Sequence, residues 1–502
     1  MAGAVPSSAA ELLALLQQGK AKDAARLATR ALKRAPGDVS LMFIAGLAEH
    51  AQGQTRRGIT MLRRAAKREP GALAIALNLG TMLLAVGDFA EAAAELQRAD
   101  AIQPGNAEVL AQLGAAQLQA GAVAEAVETL TEAARLAPQN AEPAFWLGTA
   151  LSKQGDHAAA ERAYRSAIAR NPAHVSAHRQ LGSMLTRIGR FADAVQVNAA
   201  ALNLSPGDGA IIYDLAQALA NAGAPDKAMG RLDAVLKSGK APPDFAELAA
   251  FAAFRSGDPS DCIRRCDAIL AEHPGRTAAI AYKAMALNEL GDREAAARLF
   301  DLDHLVSSRT IAPPAGHATL EAFNAALVAE IEAHPSLEYS PLNRSLSRGR
   351  STGELFESPR GAIADFRTVI ERTVDLWRAD NALDPTHPWR AQRPRRTRIG
   401  CWANIMDRGG FHDVHFHPPG WLSGVYYPQV PAGVGDGVSG PGGWIEFGRA
   451  YYMLHSADEP PVRRVKPEPG MIVLFPSFIG HRTIPFAEHD YRISVAFDVM
   501  PA

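Results

Sequence analysis

Residues 107–140 read AEVLAQLGAAQLQAGAVAEAVETLTEAARLAPQN. Leucines and alanines recur at three- and four-residue spacing on both sides of Gly121, and Pro138 stands near the end. That is the pattern of two amphipathic helices joined by a tight turn. Gly121 extends the reading to most of the chain. Glycines hold the same phase of a 34-residue period at Gly19, Gly53, Gly87, Gly155, Gly189, Gly223, Gly257 and Gly291. Only 42 of the 502 residues are glycine, so a glycine at every one of these positions marks an internal repeat.

Other positions keep the period. Prolines recur at Pro36, Pro70, Pro104, Pro138, Pro172, Pro206 and, after a skipped unit, Pro274. A second glycine series runs through Gly46, Gly80, Gly114, Gly148 and Gly182. Small residues fill a third phase, at Ala24, Gly58, Ala92, Ala126, Ala160, Ala194, Ala228, Cys262 and Ala296. The in-phase glycine gives the turn its backbone freedom, and the proline ends the second helix. The small residues belong where the paired helices cross, because a larger side chain would push the backbones apart.

This array resembles the tetratricopeptide repeat, whose signature is matched by Leu110, Leu113, Gly114, Ala126, Leu130, Ala133 and Pro138. The resemblance covers about residues 3–306. It weakens toward the end, where Ala216, Ala250 and Ala284 replace the second glycine and Lys240 replaces a proline. It implies a solenoid with a concave groove for a peptide or protein partner. Phe145, Arg179, Tyr213 and Asn221 are the groove-lining candidates that the family analogy gives.

A chain of this length holds more than one structural unit. A net charge of −1 argues against nucleic acid or an anionic membrane as an obligatory partner. Cys262, Cys266 and Cys401 make no disulfide framework, and Cys262 sits in the small-residue phase, where packing explains it. No basic-then-apolar leader is apparent, and no apolar run approaches the roughly 20 residues of a membrane helix. The expected location is the cytoplasm.

Residues 307–395 read as a bridge. Helices are expected over 318–333 and 361–379, and the polar, turn-rich stretch 336–354 reads as an ordered loop or a mobile lid. Arg390, Arg393, Arg395, Arg396 and Arg398 read as a solvated strand entry, with capture of an acidic ligand as the alternative.

From Thr397 the rhythm changes to short β-type runs, near 397–406, 413–417, 421–428, 443–447, 462–466, 471–475 and 490–498. Strands this short and this numerous suit a double-stranded β-helix, or jelly roll, over 396–502. The glycine-rich stretch 433–443 joins two strands and opens no helix, which disfavours a phosphate cradle. The whole is therefore an α + β multidomain chain, an N-terminal α-solenoid of 34-residue helix pairs followed by the jelly roll.

His415 and His417 stand two apart in a strand context, so both imidazoles project from one face. His481 follows a later strand; Arg492 and Ser494 share one face of the last strand. Imidazoles suit iron, zinc or copper, and a facial set with open positions suits non-haem Fe(II). Arginine suits bidentate capture of a carboxylate. A metal beside such a clamp calls for a co-substrate that chelates at one end and is anchored at the other, as 2-oxoglutarate does. His412, His455 and His489 read as structural histidines.

These residues resemble the Fe(II)/2-oxoglutarate dioxygenase superfamily, nearest a subgroup with His-x-His-Pro running into Ser-Gly-Val-Tyr-Tyr. Here those stretches are His415-Phe416-His417-Pro418 and Ser423-Gly424-Val425-Tyr426-Tyr427, with Gly470 to Ser477, His481 and Arg492 to Phe497 as the later match. The resemblance implies His415 and His481 as iron ligands. It implies Arg492 on the far carboxylate of 2-oxoglutarate, helped by Ser494 and Tyr427, with Asn404 as a further contact. The superfamily usually has a carboxylate two residues after the first histidine, where this chain has His417. The third ligand is then His417 or Asp413. Tyr426, Trp421 and Trp444 are candidate pocket walls. The function implied is hydroxylation of a peptide or protein docked by the repeats, using O2. A repeat scaffold with a degenerate jelly roll is the alternative, and a cupin-like enzyme without co-substrate would leave Arg492 unexplained.

Overall fold

The structure, a computed structural model, describes residues 8–239, 241–339, 346–379, 387–391, 393–432, 434–435, 440–449, 461–485 and 491–502. Helices run in consecutive pairs from Ala9–Gln17 to Arg293–Leu299. The in-phase glycines sit in the turns within the pairs, with φ between 76° and 93°. Any other L-residue would be strained there by roughly 1–2 kcal/mol.

The late proline has a partner that explains how the next pair begins. Two residues after Pro36, Pro104, Pro138 and Pro206 stand Asp38, Asn106, Asn140 and Asp208, each an N-cap. Asn106, for example, accepts from the Glu108 amide at 3.0 Å and satisfies a donor the helix cannot use. The helix-crossing phase is buried throughout, from Ala24 to Ala296. The second glycine series is equally constrained. A Cβ on Gly114 would stand 2.4 Å from Leu130 Cγ, and one on Gly148 would stand 2.7 Å from Tyr164 Cδ1.

The chain divides into two compact units, residues 1–184 with 203–205, and residues 185–202 with 206–502. The division falls inside the array. Leu12, Ile44, Leu62, Leu79 and Leu96 belong to the main core of the first unit. In the second unit, Ile280 and Ala281 of helix Thr277–Glu289 share a hydrophobic core with the β-sheets. Apolar continuity of that kind makes the last repeats and the sheets one body.

The sheets are β1 (Ser307–Thr310), β2 (Glu338–Tyr339), β3 (Leu346–Ser351), β4 (Thr397–His412), β5 (Leu422–Gln429), β6 (Ile445–Phe447), β7 (Arg463–Val465), β8 (Met471–Pro476), β9 (His481–Thr483) and β10 (Arg492–Pro501). One antiparallel sheet has the order β1-β8-β5-β10-β4-β3-β2, and a smaller one has the order β7-β6-β9. Strand alternation sorts the faces. Phe497 on β10 and Tyr426 on β5 pack on Phe366 of helix Gly361–Ala379, with ring centroids 6.4 and 4.9 Å away. Tyr426 also donates to Asn324 of helix Leu320–Glu332 at 2.5 Å. The alternate residues face the smaller sheet, where Phe475 meets Phe447 at 4.9 Å. This is the expected jelly roll, backed by the two expected bridge helices.

Three local expectations differ from the structure. The stretch 336–354 contains β2 and β3, and β3 pairs with β4, so its described part is sheet and not a lid. Its Ser and Arg content gives no apolar alternation, and the buried Ser351 is satisfied by donating to the Ala403 carbonyl at 3.0 Å. The start of the bridge is β1, an edge strand on β8. Residues 413–417 form a single β-bridge, His415 with His481, beyond the end of β4. His455, His489, Lys240 and much of 433–443 lie outside the described residues. Among the described residues no helix is long and apolar enough to cross a membrane.

The crowding at Gly148 gives a stability prediction. Gly148→Ala must displace the buried, hydrogen-bonded Tyr164 ring and should destabilise by about 1–3 kcal/mol. Gly230→Ala lies mid-helix with nothing within 4 Å of the new Cβ and should stabilise by up to about 1 kcal/mol. Urea midpoints of the two variants should move in opposite directions. A Gly148→Ala midpoint equal to wild type would mean that the crossing is not close-packed.

Candidate metal centre

Beyond β4 the chain bends toward β9. The amide of His415 donates to the His481 carbonyl at 3.0 Å, and the His481 amide returns a bond to the His415 carbonyl at 2.9 Å. The His417 amide donates to the Ser477 carbonyl at 2.9 Å. These bonds bring three imidazoles together. Ring centroids lie 4.3 Å apart for His415 and His481, 5.1 Å for His415 and His417, and 5.2 Å for His417 and His481. One ring nitrogen from each lies within 4.8 Å of the others.

The hydrogen bonds fix which nitrogen that can be. His415 Nδ1 sits 2.7 Å from the Asp413 carbonyl, and His481 Nδ1 sits 3.1 Å from the Ile479 carbonyl. A carbonyl only accepts, so both Nδ1 atoms carry the proton. His417 Nδ1 lies 2.7 and 2.8 Å from the two Asp498 carboxylate oxygens and donates there. The Nε2 atoms of His415 and His481 therefore keep their lone pairs, which is the donor state a metal needs, and on His417 the nitrogen not committed to Asp498 is Nε2. Burial pushes the His415 pKa down to about 3, with His417 adding to the effect. Burial, with His415 and His417 adding to it, holds His481 well below the usual histidine range. Both rings are neutral at physiological pH. The donor set fits a divalent transition metal.

Asp413 is exposed and outside the three-histidine group, where it contributes only its carbonyl. The carboxylate near the group is Asp498, one step behind His417. Ser423 Oγ donates to it at 2.6 Å and lies 2.8 Å from Ser477 Oγ. Asp498 escapes the sequence reading, although the signal is present. Arg492, Ser494, Ala496 and Asp498 are alternate residues of β10 and share one face.

Arg492 is 1 % exposed. It donates to the Gly443 carbonyl at 2.5 Å, Thr483 Oγ1 at 3.0 Å and Met406 Sδ at 3.0 Å, and lies 5.4 Å from the Tyr427 ring centroid. Burial lowers its pKa and pushes the Tyr427 hydroxyl up to about 12. Ser494 pairs in register with Asn404, whose Oδ1 is buried without a hydrogen-bond partner among the described residues. An unmet acceptor there costs about 1–3 kcal/mol, so the site holds polar capacity that a ligand can use.

A cavity of about 860 Å³ is lined by His415, His417, His481, Arg492, Ser494, Tyr427 and Asn404 together. The proposed walls need correction. Tyr426 points to the helical face, Trp421 stacks on Trp389 at 5.0 Å, and Trp444 is not among the lining residues. Trp402 lines the cavity instead and stacks on His417 at 5.8 Å. His412 lines it too, with its ring 5.6 Å from His415, but stays outside the metal-competent group. The groove candidates separate. Phe145 and Arg179 lie in the first unit and Tyr213 and Asn221 in the second. Phe145 is 8 % exposed and packs on Trp146, Tyr164 and His174, so it supports the array's interior and offers little groove surface.

Residues 400–498 match the family described as "Putative 2OG-Fe(II) oxygenase". Tetratricopeptide repeat families match at 10–55, 51–107 and 146–209, and at 83–146 and 185–250. The chain is a tetratricopeptide-repeat array fused to a domain of the 2OG-Fe(II) oxygenase type. Solved structures similar to part of it include a tetratricopeptide repeat protein from Parabacteroides merdae. That protein is 17 % identical, with 46 % of this chain and 91 % of that one covered and a TM-score of 0.37. MamA from Desulfovibrio magneticus is 19 % identical, with 34 % and 97 % covered and a TM-score of 0.32. No curated protein matches the chain.

Two predictions follow from the oxygenase domain's histidines. Asp498→Asn removes the carboxylate behind His417 and should weaken Co(II) binding about 10–100-fold in an anaerobic titration. Unchanged affinity would show that Asp498 has no part in holding the ligand. The unfolded chain protonates His415 and His481 below about pH 6.5, whereas the fold keeps them neutral. Stability of the metal-free protein should therefore be fully present above that pH and fall as pH drops toward about 3. Urea unfolding at pH 7.5 and 5.0 measures this, and His481→Gln should flatten the slope.

Proposed function

We propose that the protein is an Fe(II)- and 2-oxoglutarate-dependent dioxygenase that hydroxylates a peptide or protein held by its repeats. The observation supporting this most is the single cavity lined by three converging imidazoles and a buried guanidinium. Iron with 2-oxoglutarate and O2 supplies the oxidant that turns C–H into C–OH, releasing succinate and CO2.

The chain's own residues have separable roles in this reading. His415, His417 and His481 hold the metal through Nε2. Asp498 keeps the His417 proton on Nδ1 and sets a negative charge one step from the metal, in place of a ligating carboxylate. Arg492 places its buried positive charge against the far carboxylate of the keto acid, and Ser494 Oγ adds a hydrogen-bond donor. The Tyr427 ring beside the guanidinium keeps it dry and fixed, which strengthens its pairing with an anion. Asn404 lies beside Ser494 as a further polar contact. Burial on β10 means that little side-chain order is lost when the co-substrate binds.

Succinate release from 2-oxoglutarate, measured with protein purified without oxygen and loaded with Fe(II), tests the assignment. His481→Ala should abolish release. Arg492→Ala should raise the 2-oxoglutarate requirement about 30-fold or more, the cost of leaving a buried carboxylate unpaired. Equal turnover in wild type and both variants would overturn the reading. Absence of bound iron together with absence of turnover would leave a repeat scaffold.

A further inference from the structure

The groove of the last repeats opens beside the metal ligands. Within the second unit a further cavity of about 570 Å³ is lined by Tyr213 and Asn221 of helix Gly209–Asn221, and by Asp244 and Glu247 of helix Pro243–Arg255. Its opposite wall includes His415 and Phe416, which also line the 860 Å³ cavity. The two spaces share a wall made by the first candidate ligand and its neighbour. That wall is fixed to the array. Thr277 Oγ1 donates to the buried Gly420 carbonyl at 3.0 Å, and Phe416 meets Tyr282 edge-on at 6.1 Å.

The groove's charge is lopsided. Arg276 bonds Glu247 through Nε at 2.7 Å and Asp244 through Nη2 at 2.6 Å. One guanidinium faces two carboxylates, leaving one net negative charge on this wall. The accessible share belongs to Asp244, whose side chain is 63 % exposed against 12 % for Glu247. The Tyr213 hydroxyl records the same field. Burial, then Asp244, Glu247 and Asp214, push its pKa up to about 12 despite Arg276. Tyr213 and Tyr282 line the same groove as the carboxylates, each packed on a buried ring, Phe245 at 5.4 Å and Phe251 at 5.7 Å. Rings beside an exposed carboxylate suit a side chain with an apolar stem and a cationic head.

We propose that this groove docks an extended peptide segment through a lysine or arginine placed on Asp244, and leads the neighbouring residue past Phe416 to the metal. The inference deepens the dioxygenase reading and rests on it for what happens at the metal. Docking itself is separately measurable.

A random synthetic peptide library incubated with the full-length protein, with retained peptides sequenced by mass spectrometry, provides the test. Peptides retained by wild type should be enriched in lysine and arginine by about fivefold over input. Asp244→Lys should lose or reverse the enrichment, and the milder Asp244→Asn should reduce it with helical content unchanged. His481→Ala should keep the enrichment while losing succinate release. Succinate release without enrichment, or equal enrichment in Asp244→Lys, would overturn the docking inference and leave the oxygenase standing. Enrichment without succinate release would do the reverse.

Discussion

Two backbone hydrogen bonds between His415 and His481, 3.0 and 2.9 Å long, hold the candidate centre together. They tie the turn after β4 to the short strand β9, and no other β-pairing among the described residues reaches His415. Both rings then take the same posture, because each Nδ1 donates to the carbonyl two residues earlier. The backbone thus sets both tautomers without recruiting a side chain. His417 lacks such a carbonyl and uses Asp498, a residue on the central strand of the larger sheet. An all-imidazole ligand set keeps more positive charge on a bound metal than one with a carboxylate. Asp498 returns part of that charge through His417, at the cost of a less direct interaction.

The same turn joins the candidate metal centre to the last repeats. Gly420 and Phe416, which bracket His417, are held by Thr277 and Tyr282 of one repeat helix. Ile280 and Ala281 of that helix enter the core that includes Phe475, Phe478 and Trp421. Displacing the helix would expose apolar surface and disturb the histidine turn in one motion. The last repeats are part of what positions the ligands, so the array cannot be regarded there as a detachable arm.

Much of this was legible in the chain. The 34-residue glycine phase gives the helix pairs because a positive φ is needed at one point in each pair, and few residues tolerate it. The His-x-His spacing places two rings on one side whether the segment is a strand or, as found, an isolated bridge. What stayed hidden depends on register. Tyr426 and Tyr427 are neighbours and only one can face the cavity; pairing of β5 with β10 decides that it is Tyr427. Trp402 and Asp498 are hidden in the same way, since their faces follow from which strands flank them. Strand β1 lacks an apolar alternation because its edge position leaves its side chains half-buried or exposed, and β3 hides because the residue it buries against β4 near its end is the polar Ser351, so local pattern could not find them. Phe145 misled for the opposite reason, as its place in the repeat is groove-like but its ring fills space among Trp146, Tyr164 and His174.

The electrostatics of the cavity follow from desolvation. The His415 and His481 imidazoles, whose pKa values are pushed down by burial, add no charge to the metal-free centre, and the buried Arg492 is a strong positive group of the cavity beside Ser494, Asn404 and Tyr427. A dianionic keto acid has one end to place near the metal and another to place near a guanidinium. An environment of low dielectric strengthens both contacts and penalises an occupant that satisfies only one. In the proposed reading, a ligand with two separated anionic ends meets both groups along β10, where alternate residues carry Arg492 and, bonded to His417, Asp498.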